Sequence, residues 1–241
     1  MNVVIMRLTL RALLGSRRVW ILVGMAALLW IVAGLSRWGS GADVGTATGV
    51  IVNFGFGTLV PIMCLLVGTG AVAPEIEDGS IVYLLAKPVP RRTIVLSKLI
   101  VAMAVAVAFS VISIVVAAQI AGDAEGQLAL SMGVASALAS IAYVAVFFMI
   151  GVVSRNSIIV GLIYAMLWEG TLAGYVPGVR AVSVRQWALA PAEQIVEDNS
   201  VISIASDLPL VPAIVLLVLA TVVSTIVSVQ RLKVLSARVS E

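Results

Sequence analysis

Long apolar runs, almost free of charged residues, dominate this chain. They cover residues 19–36, 48–73, 99–121, 128–153, 157–176 and 210–230. A helix needs roughly 20 mainly apolar residues to cross the hydrocarbon layer of a membrane, which is about 30 Å thick. Because each run approaches or exceeds that length, the pattern predicts six membrane-spanning helices.

The same pattern favours helices over a membrane β-barrel. Strands of such a barrel alternate apolar and polar residues over about 10 positions, but the run from Leu99 to Val105 does not alternate. Of the 241 residues, 61% are hydrophobic and 11% are charged, whereas soluble domains average about 45–50% apolar and about 25% charged residues. The predicted fold class is therefore all-α, a polytopic membrane protein with a single transmembrane domain over residues 1–241.

The distribution of lysine and arginine predicts the orientation in the membrane. Positively charged residues in short loops concentrate on the cytoplasmic side. If the N-terminus is cytoplasmic, twelve of the 15 Lys and Arg residues lie inside, and only Arg37, Arg180 and Arg185 lie outside. We therefore predict that both termini are cytoplasmic, including a tail over residues 231–241.

The first 18 residues carry a basic edge. On a helix of 3.6 residues per turn, Arg7, Arg11 and Arg18 fall within about 40° of one another. We predict an amphipathic helix over residues 1–18 at the inner membrane surface; a simple basic flank that sets the topology is the alternative. The apolar run that follows is about 18 residues long, longer than the usual core of a signal peptide, so we interpret it as a retained span.

A second segment outside the spans lies between the fifth and sixth runs, at residues 177–208. It is long enough for one or two short outer helices. Trp187 within it suits the outer membrane interface, where indole rings concentrate.

In the loop over residues 74–92, between the second and third spans, acidic residues come first, apolar residues follow, and basic residues come last. Pro74 suits the first turn of a helix, and acidic residues follow it near the positive end of the helix dipole. Ile81, Leu84 and Leu85 then supply an apolar edge, and a Pro-rich turn precedes the third span. A mere connector needs no such edge, so we interpret the loop as a stiff segment with charges of both signs that projects into the cytoplasm.

This loop resembles that of type-2 ABC exporter permeases, in which an acidic pair, Gly-Ser, two leucines, a Pro-containing turn and an arginine precede the third span. The layout of six spans behind a basic N-terminal helix is similar to the same family. The resemblance implies that the loop is a coupling helix seated in a groove of a separate ATPase subunit. The residues it assigns to coupling are Glu75, Glu77, Asp78, Gly79, Ser80, Leu84, Leu85, Lys87, Pro88, Arg91 and Arg92.

The resemblance also implies the partners. Two permease chains, identical or related, would assemble with two ABC-type ATPase subunits in the plasma (inner) membrane of a prokaryote. ATP and Mg²⁺ would bind the ATPase subunits, because this chain contains no Gly-x-x-x-x-Gly-Lys-Ser/Thr loop to hold nucleotide phosphates.

Other chemistry has little support in the sequence. The chain has no histidine, a single cysteine, Cys64, and a net charge of only +3. Histidine and cysteine are the commonest metal ligands and catalytic bases or nucleophiles. We therefore predict no catalytic, metal or cofactor site in this chain, and no nucleic-acid partner.

Glu169 falls inside the predicted fifth span, where an ionisable side chain costs at least about 2.5 kcal/mol. It shares one helix face with Gly161, Ala165 and Ala173, and small residues let another helix pack closely. Its candidate partners are Arg37, Arg180, Arg185, Asn53 and Tyr143. Two roles stay open for Glu169 and for its polar candidates Asn53 and Tyr143: a substrate path or gate, and a hydrogen-bonded tie between helices.

The leading hypothesis from the sequence is the permease subunit of an ATP-driven exporter of a hydrophobic or amphipathic small molecule or lipid. The alternative is a proton-coupled secondary transporter in which Glu169 carries the proton. The sequence shows no evident inverted repeat of interrupted helices, which counts against that alternative. A membrane-embedded enzyme ranks lower, because no His, Cys or paired carboxylates converge within the spans.

Overall fold

The fold is helical throughout the part of the chain that the structure describes. The computed structural model describes residues 3–40, 44–79, 90–123, 126–154, 156–172, 182–196, 204 and 206–239. Every regular element among them is a helix, which confirms the all-α prediction. Five helical runs are long and apolar enough to cross a membrane: Arg18–Gly39, Gly45–Ile76, Arg91–Ala121, Gln127–Val153 and Leu210–Leu232.

The first helix, α1, runs over Val3–Leu14 and is amphipathic. Its buried residues Ile5, Thr9 and Leu13 recur every four positions and so share one face. Its two arginines are exposed. This arrangement places an apolar stripe against the bundle and leaves the basic edge free.

The first span, α2, begins at Arg18 and ends at Ser40. A turn separates it from α1, and the Gly15 N–H closes that turn by donating to the Arg11 carbonyl at 2.8 Å. The predicted amphipathic helix over 1–18 is therefore too long by one turn. Arg18 belongs to the first span and does not share the basic edge of α1.

The second span is built from three consecutive helical segments, α3 (Val44–Gly49), π1 (Val50–Leu59) and α4 (Val60–Gly70). A short helix, α5 (Ala73–Glu77), follows its end. In π1 the turns are wider than in an α-helix, and the Val60 N–H donates to the carbonyl of Gly55, five residues back. Pro61 follows directly and has no N–H to donate. The π-helical hydrogen bonds thus end where the chain loses a donor.

The next two spans form the centre of the bundle. They are α6 (Arg91–Ala121) and α7 (Gln127–Val153), and α7 packs against α4, α6 and the last span. The contact between α4 and α7 is close: a Cβ atom on Gly68 would lie 2.9 Å from the Phe147 Cβ. Small residues are the usual means of such close packing between membrane helices.

The structure describes the predicted fifth span, residues 157–176, as far as Leu172. This part is helical: it begins as α8 (Ser157–Ile163) and continues as π2 (Tyr164–Leu172). The five long helices among the described residues do not include it, so a sixth crossing stays a prediction.

The last two helices are α9 (Val184–Ile195) and α10 (Leu210–Val239). α9 lies in the predicted outer segment and packs on α7 and α10, so Trp187 is 7% exposed rather than placed at a membrane surface. α10 continues through most of the predicted tail over 231–241, because no proline or glycine interrupts it after Pro212.

The two ends of the bundle hold different elements. At the end that we call the N-terminal end, α1, α5 and the first turns of α6 lie together, and Lys98 donates to the Ala71 carbonyl at 3.1 Å. At the opposite end, Arg37 of α2 donates to the carbonyl of Ile120 at 3.2 Å. Which end faces the cytoplasm stays a prediction.

Candidate functional site

α5 is the described helix of the predicted coupling loop. It starts at Ala73 with Pro74 in its first turn, in agreement with the helix start predicted at Pro74. The Asp78 N–H donates to the Pro74 carbonyl at 2.9 Å, and Gly79 ends the turn in the left-handed conformation with φ +69°. Asp78 and Gly79 are exposed. The end of α5 is thus an accessible surface.

A partly buried ion pair fixes α5 to the third span. The Lys98 ammonium forms a salt bridge with the Glu75 carboxylate, and it also donates to the Ala71 carbonyl. Lys98 is only 3% exposed. A buried cation needs such partners, because removal from water disfavours the charged form. The pair joins the end of the second span, α5 and the start of the third span into one unit.

Sequence reasoning placed Lys98 only among the charges that set topology. The signal that it has a structural partner is its position, because it follows the apolar residues Ile94, Val95 and Leu96 within a helix. Glu75 lies 23 residues earlier, across the whole predicted loop. Sequence spacing alone could not pair the two.

The structure describes the side chains of only some of the other predicted coupling residues. Arg91 and Arg92 occupy the first turn of α6, half-buried and exposed respectively. Glu77 ends α5, but its side chain lies outside the described residues. Also outside the described residues are Ser80, Leu84, Leu85, Lys87 and Pro88.

The three arginines of the predicted interfacial helix have different surroundings. Arg7 and Arg11 are exposed on α1. Arg18 is half-buried, and its guanidinium lies over Gly70 of α4: a Cβ atom on Gly70 would be 2.5 Å from the Arg18 Nη1. Arg18 thus reaches from α2 towards the junction of α4 and α5.

A second polar site surrounds Glu169, which is fully buried. Its carboxylate accepts hydrogen bonds from the Tyr164 hydroxyl (3.2 Å), the Ser183 hydroxyl (2.5 Å) and the backbone N–H groups of Val184 (3.0 Å) and Arg185 (3.3 Å). Val184 and Arg185 are the first two residues of α9. The carboxylate therefore satisfies donors that a helix start leaves unpaired, at the positive end of the helix dipole.

The Arg185 side chain connects this site to the second span. Its guanidinium donates to the Val52 carbonyl at 3.1 Å and to the Asn53 side-chain oxygen at 2.9 Å. Gly57 makes room for it, since a Cβ atom there would lie 3.0 Å from the guanidinium. We name the group formed by Glu169, Tyr164, Ser183, Arg185 and Asn53 the Glu169 cluster. It joins π1, π2 and α9.

The predicted partners of Glu169 meet it in unexpected ways. Arg185 does bind the carboxylate, but through its backbone amide, while its guanidinium binds π1. Asn53 binds Arg185 and so lies one step away. Tyr143 is fully buried near the carboxylate, without meeting the geometry of a hydrogen bond to it.

The remaining predictions for Glu169 are partly confirmed. Gly161 and Ala165 are buried on the same face, as the spacing predicts. Arg37 binds a backbone carbonyl at the end of α6 instead of Glu169. Ala173 and Arg180 lie outside the described residues.

The arrangement of the Glu169 cluster suits holding helices together more than reacting with a ligand. Its donors and acceptors satisfy one another across three elements. Two of those elements are π-helical, a conformation that is rare and often found at functional sites. Among the residues described, no group of three His, Cys, Asp or Glu side chains is placed to hold a metal ion.

The fold and these two sites define a polytopic helical membrane protein with a short, partly exposed helix tied to two of its spans. Residues 3–168 match the family described as ABC-2 family transporter protein. The match covers more than half of the chain, which therefore belongs to the ABC-2 family and is a permease, the membrane subunit of an ABC transporter that is not itself catalytic. No curated protein matches the chain.

The two sites lie differently with respect to the residues that match the family. α5, Lys98 and Asn53 lie within the matched residues, whereas Glu169, Ser183 and Arg185 lie beyond them. Permeases of this family associate in general with an ABC-type ATPase subunit.

Proposed function

We propose that this permease is driven through α5 by an ABC-type ATPase subunit and exports its substrate from the cytoplasm or the inner leaflet. The observation that carries the proposal is the attachment of α5. Its exposed end at Asp78 offers a contact surface, and the Glu75–Lys98 pair ties it to the second and third spans. Movement of the ATPase at α5 therefore acts on two spans at once.

The proposed substrate is a hydrophobic or amphipathic small molecule or lipid. The five long helices are overwhelmingly apolar, with mean hydropathies between 2.3 and 2.9. A path lined by such helices favours an apolar substrate, because the transfer of apolar surface out of water is favourable.

The proposed assembly contains two ATPase subunits and a second permease chain, identical or related. α2 and α10 support this, since they are the least buried of the five long helices and expose many large apolar side chains. Such faces must contact lipid or another membrane chain. We place the N-terminal end, with exposed Arg7, Arg11 and Arg92, at the cytoplasmic face of a prokaryotic plasma membrane.

A proton-coupled secondary transporter is the second candidate. Its supporting observation is the buried carboxylate of Glu169 beside two hydroxyl groups. Against it, two backbone amides also hold that carboxylate at the start of α9. The Tyr164 and Ser183 hydroxyl groups bind the same carboxylate, so its hydrogen bonds hold it to two elements, which suits a fixed tie between helices.

The test uses the chain reconstituted in liposomes with its candidate ABC-type ATPase subunit. Substrate-stimulated ATP hydrolysis is compared in the wild type, Asp78→Lys at the exposed end of α5, and the matched control Gln194→Lys at an exposed position of α9. We expect loss of stimulation and of ATPase binding in Asp78→Lys alone. Equal stimulation in all three would exclude coupling through α5, and transport by the chain alone under a pH gradient would support the second candidate.

A further inference from the structure

A cleft of about 300 Å³ lies at the N-terminal end between α1, the start of α2 and the junction of α4 with α5. Thr9 and Leu13 of α1 line one side of it, and Glu75 lines the other. Ser16 and Arg18 lie between them, in the turn and at the start of α2. The cleft thus touches both the amphipathic helix and the helix proposed to contact the ATPase.

Arg18 gives this cleft its charge. Its guanidinium occupies the space that the missing side chain of Gly70 leaves. In the described portion of the chain, no carboxylate forms an ion pair with Arg18. Lys98 and Glu75 compensate each other, so Arg18 leaves one positive charge at the cleft without a counter-charge among these residues.

The size of the cleft limits what could fill it. A volume of about 300 Å³ equals roughly ten water molecules at about 30 Å³ each, which is enough for a lipid headgroup but not for its acyl chains. Those chains would lie on apolar surface outside, and Leu14 and Trp20 are exposed next to the cleft in sequence, at 45% and 78%. Tryptophan is enriched at this depth of a membrane.

We propose that this cleft binds the headgroup of an anionic phospholipid, with the phosphate on the Arg18 guanidinium. A phosphodiester carries one negative charge, which complements the Arg18 charge that no described carboxylate pairs with. A guanidinium can bind two phosphate oxygens at once. A zwitterionic lipid brings its own ammonium and would leave the positive charge in place. The bound lipid connects α1 and α5, so it is a resident lipid of the transporter rather than its cargo.

The test measures lipid retention on the purified full-length chain by native mass spectrometry. Phosphatidylglycerol and phosphatidylcholine with the same acyl chains are compared on wild type, Arg18→Gln and Arg17→Gln. Arg17 is the matched control because it is exposed, adjacent and equally charged. Loss of a charge-assisted contact in Arg18→Gln is expected to weaken phosphatidylglycerol binding about tenfold, with little change in Arg17→Gln.

A second pair of variants keeps every charge. Gly70→Ala should displace the Arg18 guanidinium and weaken phosphatidylglycerol binding, whereas Gly24→Ala, with open space around it, should not. If Arg18→Gln lowers the unfolding temperature, this second pair still tests whether the Arg18 guanidinium binds the lipid phosphate. Equal losses in Arg17→Gln and Arg18→Gln, equal retention of both lipids, or full displacement by inorganic phosphate would each overturn the proposal.

Discussion

The Glu169 carboxylate accepts a hydrogen bond from the Val184 backbone N–H at 3.0 Å, so a side chain of π2 caps a helix that begins 15 residues later. Val184 is 2% exposed, and the preceding Ser183 is fully buried. A buried helix start cannot satisfy its free N–H groups with water. Glu169 supplies the missing acceptor, and Arg185 then fastens the same helix to π1.

Replacement of Glu169 should therefore destabilise the bundle. Glu169→Ala removes an acceptor shared by several buried donors, and we expect a loss of roughly 3 kcal/mol in the free energy of unfolding. Glu169→Gln keeps one acceptor oxygen and should lose about half as much. Thermal unfolding of the purified chain in detergent measures both.

The control for this prediction is Thr171→Ala, also on π2. Its hydroxyl is exposed and bonds only locally, to the Met166 carbonyl. We expect only a small change in the unfolding temperature of this variant. If Glu169→Ala were no more destabilised than Thr171→Ala, the capping role would be wrong.

The Glu75–Lys98 pair predicts an asymmetric response to mutation. Glu75→Gln leaves the ammonium of buried Lys98 without its counter-charge and should cost roughly 2–4 kcal/mol. Lys98→Met should cost less, about 1–2 kcal/mol, because the Glu75 side chain is 36% exposed, against 4% for that of Lys98, and so loses less of its solvation on folding. The double variant should be more stable than Glu75→Gln alone.

Urea or thermal unfolding of the wild type, the two single variants and the double variant completes this double-mutant cycle. Arg92→Gln, on the exposed side of the same helix, is the control and should change stability little. Simple additivity of the two single changes would contradict a direct pair.

The packing of α4 on α7 predicts that Gly68 does not tolerate a methyl group. In Gly68→Ala the new atom would meet the Phe147 Cβ at 2.9 Å and the Val144 carbonyl oxygen at 3.1 Å, neither of which is a flexible end. Overpacking of this kind typically costs about 1–3 kcal/mol. Gly24→Ala on α2 meets nothing within 4 Å and should be neutral or stabilising. Equal unfolding temperatures in the two variants would show that the helices can separate freely.

The sequence predicts the helices well because the bilayer imposes one strong constraint, a long apolar run for each crossing. It fails where local backbone geometry decides. The break at Gly15 removes Arg18 from the amphipathic helix, and the apolar pattern carries no signal for the π-helical turns of π1 and π2.

The partners of charged residues are harder still to predict. The sequence marks Glu169 as unusual, and it gives a tie between helices as one of two possible roles. Its main donors include backbone N–H groups, which carry no residue signature, and so no pattern names Val184. For Lys98 the partner is an ordinary acidic side chain, but a long loop separates the two, and only the packed structure brings them together.

Site-specific labelling of α5 tests the central claim, that this helix faces the cytoplasm and binds the ATPase subunit. Asp78→Cys and Gln194→Cys each place a cysteine at an exposed position, on α5 and α9 respectively. The native Cys64 is fully buried, so background labelling is low. A membrane-impermeant maleimide is applied to intact cells and to inverted membranes, with and without the ATPase subunit.

The proposal predicts that Asp78→Cys reacts only in inverted membranes and that the ATPase subunit protects it. Gln194→Cys should react only in intact cells, with no effect of the ATPase. Reaction of Asp78→Cys in intact cells, or equal reaction with and without the ATPase subunit, would contradict the proposed coupling through α5.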